Sequence, residues 1–142
     1  MATFLFKTEP DEYGWDDLVR EKRAVWTGVT SPAAQKHLRA VRKGDEILLY
    51  HTGDQRRIVG LARAVKGAYA DPQNPALTAS GESKATLVDI APVRAAAKTD
   101  ATLAAIKADA RFAEFALVRQ GRLSVMPVPA ALDKRLRELA GL

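Results

Sequence analysis

The sequence predicts an α+β domain built on a mixed, mainly antiparallel β-barrel with helices packed outside it. Three observations carry this. Short segments rich in β-branched and aromatic residues recur along the chain. The stretches between them leave little room for regular crossover helices, and the amphipathic segments have their own start and stop signals.

Thr3 to Thr8 (TFLFKT) reads as the first strand, stopped by Glu9-Pro10-Asp11 because proline removes a backbone donor. Trp15 to Glu21 predicts a short helix, with Asp16 and Asp17 in its first turn and Arg20 near its end, the charge order a helix dipole favours. Arg23 to Trp26 is a second brief strand. Ser31-Pro32 marks a sharp helix start; the helix that follows places Ala34, Leu38 and Val41 on one face, Lys36, Arg39 and Lys43 on another, and stops at Gly44. Glu46 to His51 is a strand, Thr52 to Gln55 a hairpin loop, and Arg57 to Tyr69 a longer strand expected to bend at Gly60 or Gly67. The loop Asp71 to Glu82, rich in Pro, Asn, Ser and Gly, is expected to be mobile and leads to a strand over Lys84 to Val93. In the alanine-rich stretch Ala95 to Ala116, Thr99 is the expected cap of a helix carrying Leu103 and Ile106 inward, and Phe112 and Phe115 follow at helical spacing. Arg122 to Val128 is the last strand and Pro129 to Leu139 the closing helix.

The 142 residues fit one domain, 1–142. At 47% hydrophobic and 27% charged the composition is that of a globular chain, not of a disordered one. No apolar run approaches the roughly 20 residues that cross a bilayer, and Met1 to Lys7 leads straight into a strand pattern without the parts of a signal peptide. No membrane association and a cytoplasmic location are therefore expected. The absence of cysteine excludes disulfides and thiolate chemistry; His37 and His51 are too few for a metal site, so neither metal nor cofactor is expected. A net charge of +5 favours a polyanionic partner without naming one.

The chain lacks GxGxxG, GxxxxGK[ST] and GxSxG, so dinucleotide, P-loop and serine-hydrolase chemistry have no support in the sequence. Lys7-Thr8-Glu9 puts a cation, a hydroxyl and a carboxylate at a strand end, able either to meet a base edge or to form a salt-bridged strand terminus. Both tryptophans lie near Tyr13, in one short N-terminal stretch; such rings stack on bases, worth roughly 1–3 kcal/mol each, or pack in a core. Trp26-Thr27-Gly28-Val29 sets an aromatic ring beside a glycine that lets backbone approach a flat guest. His51, after Tyr50 at a strand end, is a further hydrogen-bonding candidate. Lys36, Arg39, Lys43, Arg56 and Arg57 suggest a phosphate-facing rim or a solvated charged face.

Taken together, Phe4 to Pro10, Tyr13, Trp15 to Leu18, Trp26 to Val29, Lys43-Gly44-Asp45, Tyr50-His51-Thr52, Gly60-Leu61, Val88-Asp89 and Arg122 to Pro127 resemble the EVE domain family, related to the thymocyte nuclear protein family. The resemblance runs through nearly the whole chain. It implies a PUA-like barrel, shared more distantly with YTH and ASCH domains, in which a base is turned out of its strand and inserted between the end of the first strand and the tryptophan segment. Carried over, Trp26 is the stacking wall and Thr27, Gly28 and Val29 supply backbone contacts. Lys7, Thr8, Glu9 and Tyr13 meet the base edge, Ser31 borders the pocket, and Tyr50 and His51 close its rim. The chain departs from relatives by reading Thr30-Ser31-Pro32-Ala33-Ala34-Gln35-Lys36 after the tryptophan segment, and Lys84-Ala85-Thr86 where relatives carry a second tryptophan.

The resemblance thus implies non-catalytic binding of DNA or RNA carrying a modified base, in a single-stranded or locally opened strand, with no catalytic residue. Two alternatives stand beside it. One is an ASCH-like hydrolase of a modified nucleoside using Lys, Thr and Glu; the other is an adaptor whose basic face docks an acidic protein.

Overall fold

β1 (Thr3–Thr8) forms on the TFLFKT run and buries Phe4, Leu5 and Phe6. A computed structural model describes all of residues 1–142. Pro10 ends the strand, and a turn leads into α1 (Trp15–Glu21), whose capping Gly14 N–H is met by the Asp17 carboxylate at 2.7 Å. β2 (Ala24–Trp26) follows, then α2 (Pro32–Leu38), started by Ser31 Oγ accepting from the Ala34 N–H. The helix stops at Leu38, shorter than the sequence suggests, and Lys43 lies in the turn before β3, where Gly44 takes φ +93°. β3 (Glu46–His51), β4 (Arg57–Ala70) and β5 (Thr86–Ala95) form an antiparallel meander. α3 (Leu103–Ala108) is capped by Thr102, not Thr99, because Thr102 directly precedes the first helical residue and its hydroxyl accepts from the Ala105 N–H at 3.1 Å. A 3₁₀ turn (Ala110–Phe112), α4 (Ala116–Arg119), β6 (Val125–Pro127) and α5 (Ala130–Ala140) complete the chain.

The six strands run in the order β2-β5-β4-β3-β1-β6; β1 pairs parallel with β3 and every other pair is antiparallel. The α+β class, mainly antiparallel sheet and outer helices are those expected. The sheet is not closed: no ladder joins β2 to β1 or β6. Its register shifts beside Gly60 and again across Gly67, between Lys66 and Tyr69; such bulges bend a strand and curl a sheet. The curl brings Trp26 of β2 to within 5.5 Å of Phe6 of β1, ring centre to ring centre, and α2 packs on both β5 and β6 from across the gap. An open seam is left between two sheet edges, part-filled by α2 and the Trp26 indole.

Thirty buried apolar residues form one core through both sides of the sheet. Leu5, Phe6, Leu48, Leu49 and Leu61 are fully covered, each contributing about 1.5–3 kcal/mol of burial. The loop after β4 folds on itself through a Thr78–Glu82 turn and a Leu77–Ser83 bridge, and no helix is long and apolar enough to cross a membrane.

Candidate functional site

The seam holds a cleft of about 820 Å3. One bank is the end of β1 and the turn after it (Lys7, Thr8, Glu9, Glu12, Tyr13), with Ser124 from the segment before β6. The other is the end of α1, β2 and the following loop (Glu21, Arg23 to Val29). β2 ends the sheet, so its outer edge is unpaired. Beyond it, the N–H groups of Thr27, Gly28 and Val29 donate to no acceptor within the protein, although all three residues line the cleft. Gly28 takes φ +76°, a backbone turn that suits glycine, with open space where a Cβ would stand.

The loop is held from behind. Gln35, 3% exposed, donates from Nε2 to the Val29 carbonyl at 2.7 Å and accepts the Thr86 N–H at 2.8 Å, tying the loop to α2 and β5 at once.

Trp26 floors the cleft. Phe6 packs against it at a 35° tilt, and Tyr13 stands edge-on at 6.1 Å and 81°. This leaves the indole 7% exposed, so it is a floor largely covered by its neighbours, not the open stacking wall that the resemblance implies. The Tyr13 hydroxyl donates to Glu21 at 2.6 Å; burial, then that bond and the carboxylate charge, raise its pKa well above the ordinary tyrosine value. Lys7 Nζ donates to the Gly121 carbonyl at 3.0 Å and lies 5.9 Å from the Tyr50 ring centre; burial lowers its pKa. The Thr8 hydroxyl donates to the Tyr13 carbonyl at 2.5 Å, and Glu9 accepts from the Thr52 hydroxyl at 3.0 Å. Arg23 pairs with Asp89 at 2.8 Å, and Asp89 also accepts from the Tyr69 hydroxyl.

Eight of the residues singled out from the sequence line this one cleft: Lys7, Thr8, Glu9, Tyr13, Trp26, Thr27, Gly28 and Val29. Three others do not. Tyr50 and His51 are 2% and 7% exposed because β3 lies inside the sheet between β1 and β4. His51 Nε2 accepts the Trp15 N–H at 3.0 Å and Nδ1 meets Gln55, so the imidazole fixes the start of α1 and forms no part of the rim. Ser31 spends its hydroxyl on the α2 cap and lines a neighbouring depression.

The five cations are not gathered into one rim, and none lines the cleft. Arg39 is held by Glu82 at 3.4 Å and by the Ser83 carbonyl at 2.8 Å; Lys36 and Lys43 are exposed on and beyond α2, and Arg56 and Arg57 sit at the β3–β4 hairpin. Sequence reasoning missed Glu12, Glu21, Arg23, Ala24, Val25 and Ser124. The alternation of β2 was a usable signal for Ala24, which shares a face with Trp26; Ser124 lies within the Arg122 to Pro127 block, but its place at the cleft depends on the pairing of β6 with β1.

The EVE domain family model matches residues 2–139. Mouse thymocyte nuclear protein 1 is 35% identical over 80 residues, an overlap that spans 48% of this chain and only about a third (35%) of that protein. A Rhodopseudomonas palustris protein of known solution structure is 38% identical, covers 99% of this chain with 94% of its own, and superposes with a TM-score of 0.85. The human THYN1 protein, crystallised in complex with 5-methylcytosine-containing DNA, shares the fold at 24% identity and TM-score 0.82, with 97% of each chain covered. With a family model spanning almost every residue and a full-length relative of the same architecture, this chain belongs to the EVE domain family.

Proposed function

We propose that this chain binds nucleic acid carrying a modified base, holds that base in the Trp26 cleft, and leaves it chemically unchanged. The observation that carries the reading is the strip of unpaired backbone N–H groups at Thr27, Gly28 and Val29 along a cleft of about 820 Å3. That volume falls within the usual range of small-ligand pockets, roughly 300–1,000 Å3, and donors without partners suit a planar guest with acceptors on its edge. The human THYN1 complex makes 5-methylcytosine the first ligand to test. Turning a base out of its strand costs a few kcal/mol, least in a single or locally opened strand. A buried methyl adds about 0.8 kcal/mol, a bias in selection and not an absolute gate.

Hydrolysis by Lys7, Thr8 and Glu9 is the weaker reading. Each side chain is engaged elsewhere, by Gly121, Tyr13 and Thr52 respectively, and no shared point of attack follows from those bonds.

Titration of modified and plain single-stranded DNA and RNA oligonucleotides tests the proposal. The expected result is a preference for a modified base that falls in Trp26→Phe, a variant that keeps an aromatic ring in the core, and is lost in a folded Trp26→Ala. Equal binding of every oligonucleotide with both variants silent would point to a protein-binding adaptor. Turnover of acylated cytidine, lost in Lys7→Ala, would make the protein an enzyme.

A further inference from the structure

Beside the cleft lies a second depression of about 330 Å3, lined by Ser31, Ala33, Gln120, Gly121, Arg122 and Leu123. It adjoins the cleft on both banks. On one, Val29 lines the cleft and Ser31 the depression; on the other, Ser124 lines the cleft and Gln120 to Leu123 the depression. Lys7 stitches the two together: its Nζ donates to Gly121 and its backbone N–H to Ser124.

The two spaces differ in charge. Three carboxylates, Glu9, Glu12 and Glu21, line the cleft against two cations, Lys7 and Arg23, and Arg23 is already paired with Asp89. No carboxylate lines the depression. Its one charged side chain, Arg122, is exposed and takes part in none of the ion pairs of the protein. The backbone N–H groups of Gly121 and Arg122 donate to no acceptor within the protein either. Consecutive free N–H groups beside a guanidinium are the donor set that holds a phosphate oxygen, whereas carboxylates repel one.

We infer that the Gly121–Arg122 turn is the subsite for a backbone phosphate of the strand whose base enters the cleft. This rests on the base-binding reading above and adds where the charge of the strand is met: at Arg122 and its neighbouring N–H groups, outside the carboxylate-lined cleft. Arg122 fixes position along the strand and carries no information about the base.

The test is anisotropy titration of the full chain with a single-stranded oligonucleotide containing one 5-methylcytosine, and with its unmodified twin, between 50 and 200 mM salt. Arg122→Ala is expected to weaken binding of both several-fold at low salt and to make the salt dependence shallower by about 0.7, the value for one phosphate of a single strand. The ratio between the two oligonucleotides stays unchanged. Arg119→Ala is the control, since Arg119 is exposed nearby but held by Glu114 outside the depression. Unchanged affinity and slope in Arg122→Ala would overturn the subsite while sparing base recognition, as would an equal effect of Arg119→Ala. Loss at Arg122 with no preference for the modified oligonucleotide would uphold the phosphate contact and overturn the base reading. Absence of binding to either oligonucleotide would overturn both.

Discussion

The indole of Trp15 lies against Gly60 so closely that a Cβ at position 60 would fall 2.5 Å from ring carbons Cε3 and Cζ3. This contact seats α1 on β4, and α1 is flanked by Tyr13 and ends in Glu21, both on the cleft. Gly60→Ala must therefore move the indole or the strand, and overpacking of this kind costs about 1–3 kcal/mol. Thermal melts should show a clear loss of stability, with weaker oligonucleotide binding where α1 has shifted. A melt equal to that of the parent would mean that the indole relocates freely.

Gly60 also illustrates what was legible in the sequence. The sequence reads Gly60 as a bend, and a register shift does fall beside it; the aromatic ring packed above it lies outside that reading. Strands and helices were readable because their signals are local: TFLFKT, Ser31-Pro32 and the Ala34/Leu38 face. Even there, the helix cap falls on Thr102, three residues beyond the Thr99 that the sequence suggests. The pairing of β1 with β3 in parallel, and the failure of the sheet to close, depend on contacts distant in sequence. The cleft inherits that limit. Its β1 bank and tryptophan floor are near one another in sequence, whereas Ser124, though inside a recognisable block, joins from the far end of the chain through the pairing of β6 with β1. The resemblance implies a rim position for His51; pairing on both sides of β3 places it in the core instead.

His51→Leu separates those two roles. The substitution leaves the buried Trp15 N–H without its acceptor, a loss of about 1–3 kcal/mol. The expected outcome is a lower melting temperature and an altered tryptophan near-UV signal, with the ratio between modified and plain oligonucleotides unchanged among folded molecules. A stable variant that had lost the ratio would return His51 to the ligand.

Gln35 acts on the cleft at one remove. Gln35→Leu frees the Val29 carbonyl and leaves the Thr86 N–H, in a residue 3% exposed, with no partner. A destabilisation of about 1–3 kcal/mol follows from the unsatisfied donor alone. Hydrogen exchange adds a positional readout: the Thr86 amide should lose protection, and the modification preference should fall because residues 27–29 are no longer held. Gln35→Glu keeps an acceptor for Thr86 but sets a carboxylate against the Val29 carbonyl. It should preserve protection at Thr86 better than it preserves the preference.

Asp89 makes the stability of the β2 edge depend on pH. Burial acts to raise its pKa, but hydrogen bonds from Tyr69 and Arg23, with the charges of Arg23 and Lys66, outweigh burial and hold it below the ordinary 3.8. The unfolded chain therefore binds the proton more readily, so this contribution is fully present above pH 3.8 and is lost as pH falls through the lower, folded value. Tyr69 behaves in the opposite sense. Donation to Asp89, then burial and the Asp89 charge, push its hydroxyl up to about 12 from 10.0. Its contribution is complete below pH 10.0 and disappears between there and about 12. Asp89→Asn removes the charge that both effects share. The difference in urea midpoint between parent and variant should be flat from pH 3.8 to 10.0 and shrink beyond either end. A difference that stayed constant into acid would mean that the carboxylate charge contributes nothing and that Arg23 is held at the cleft wall by packing alone.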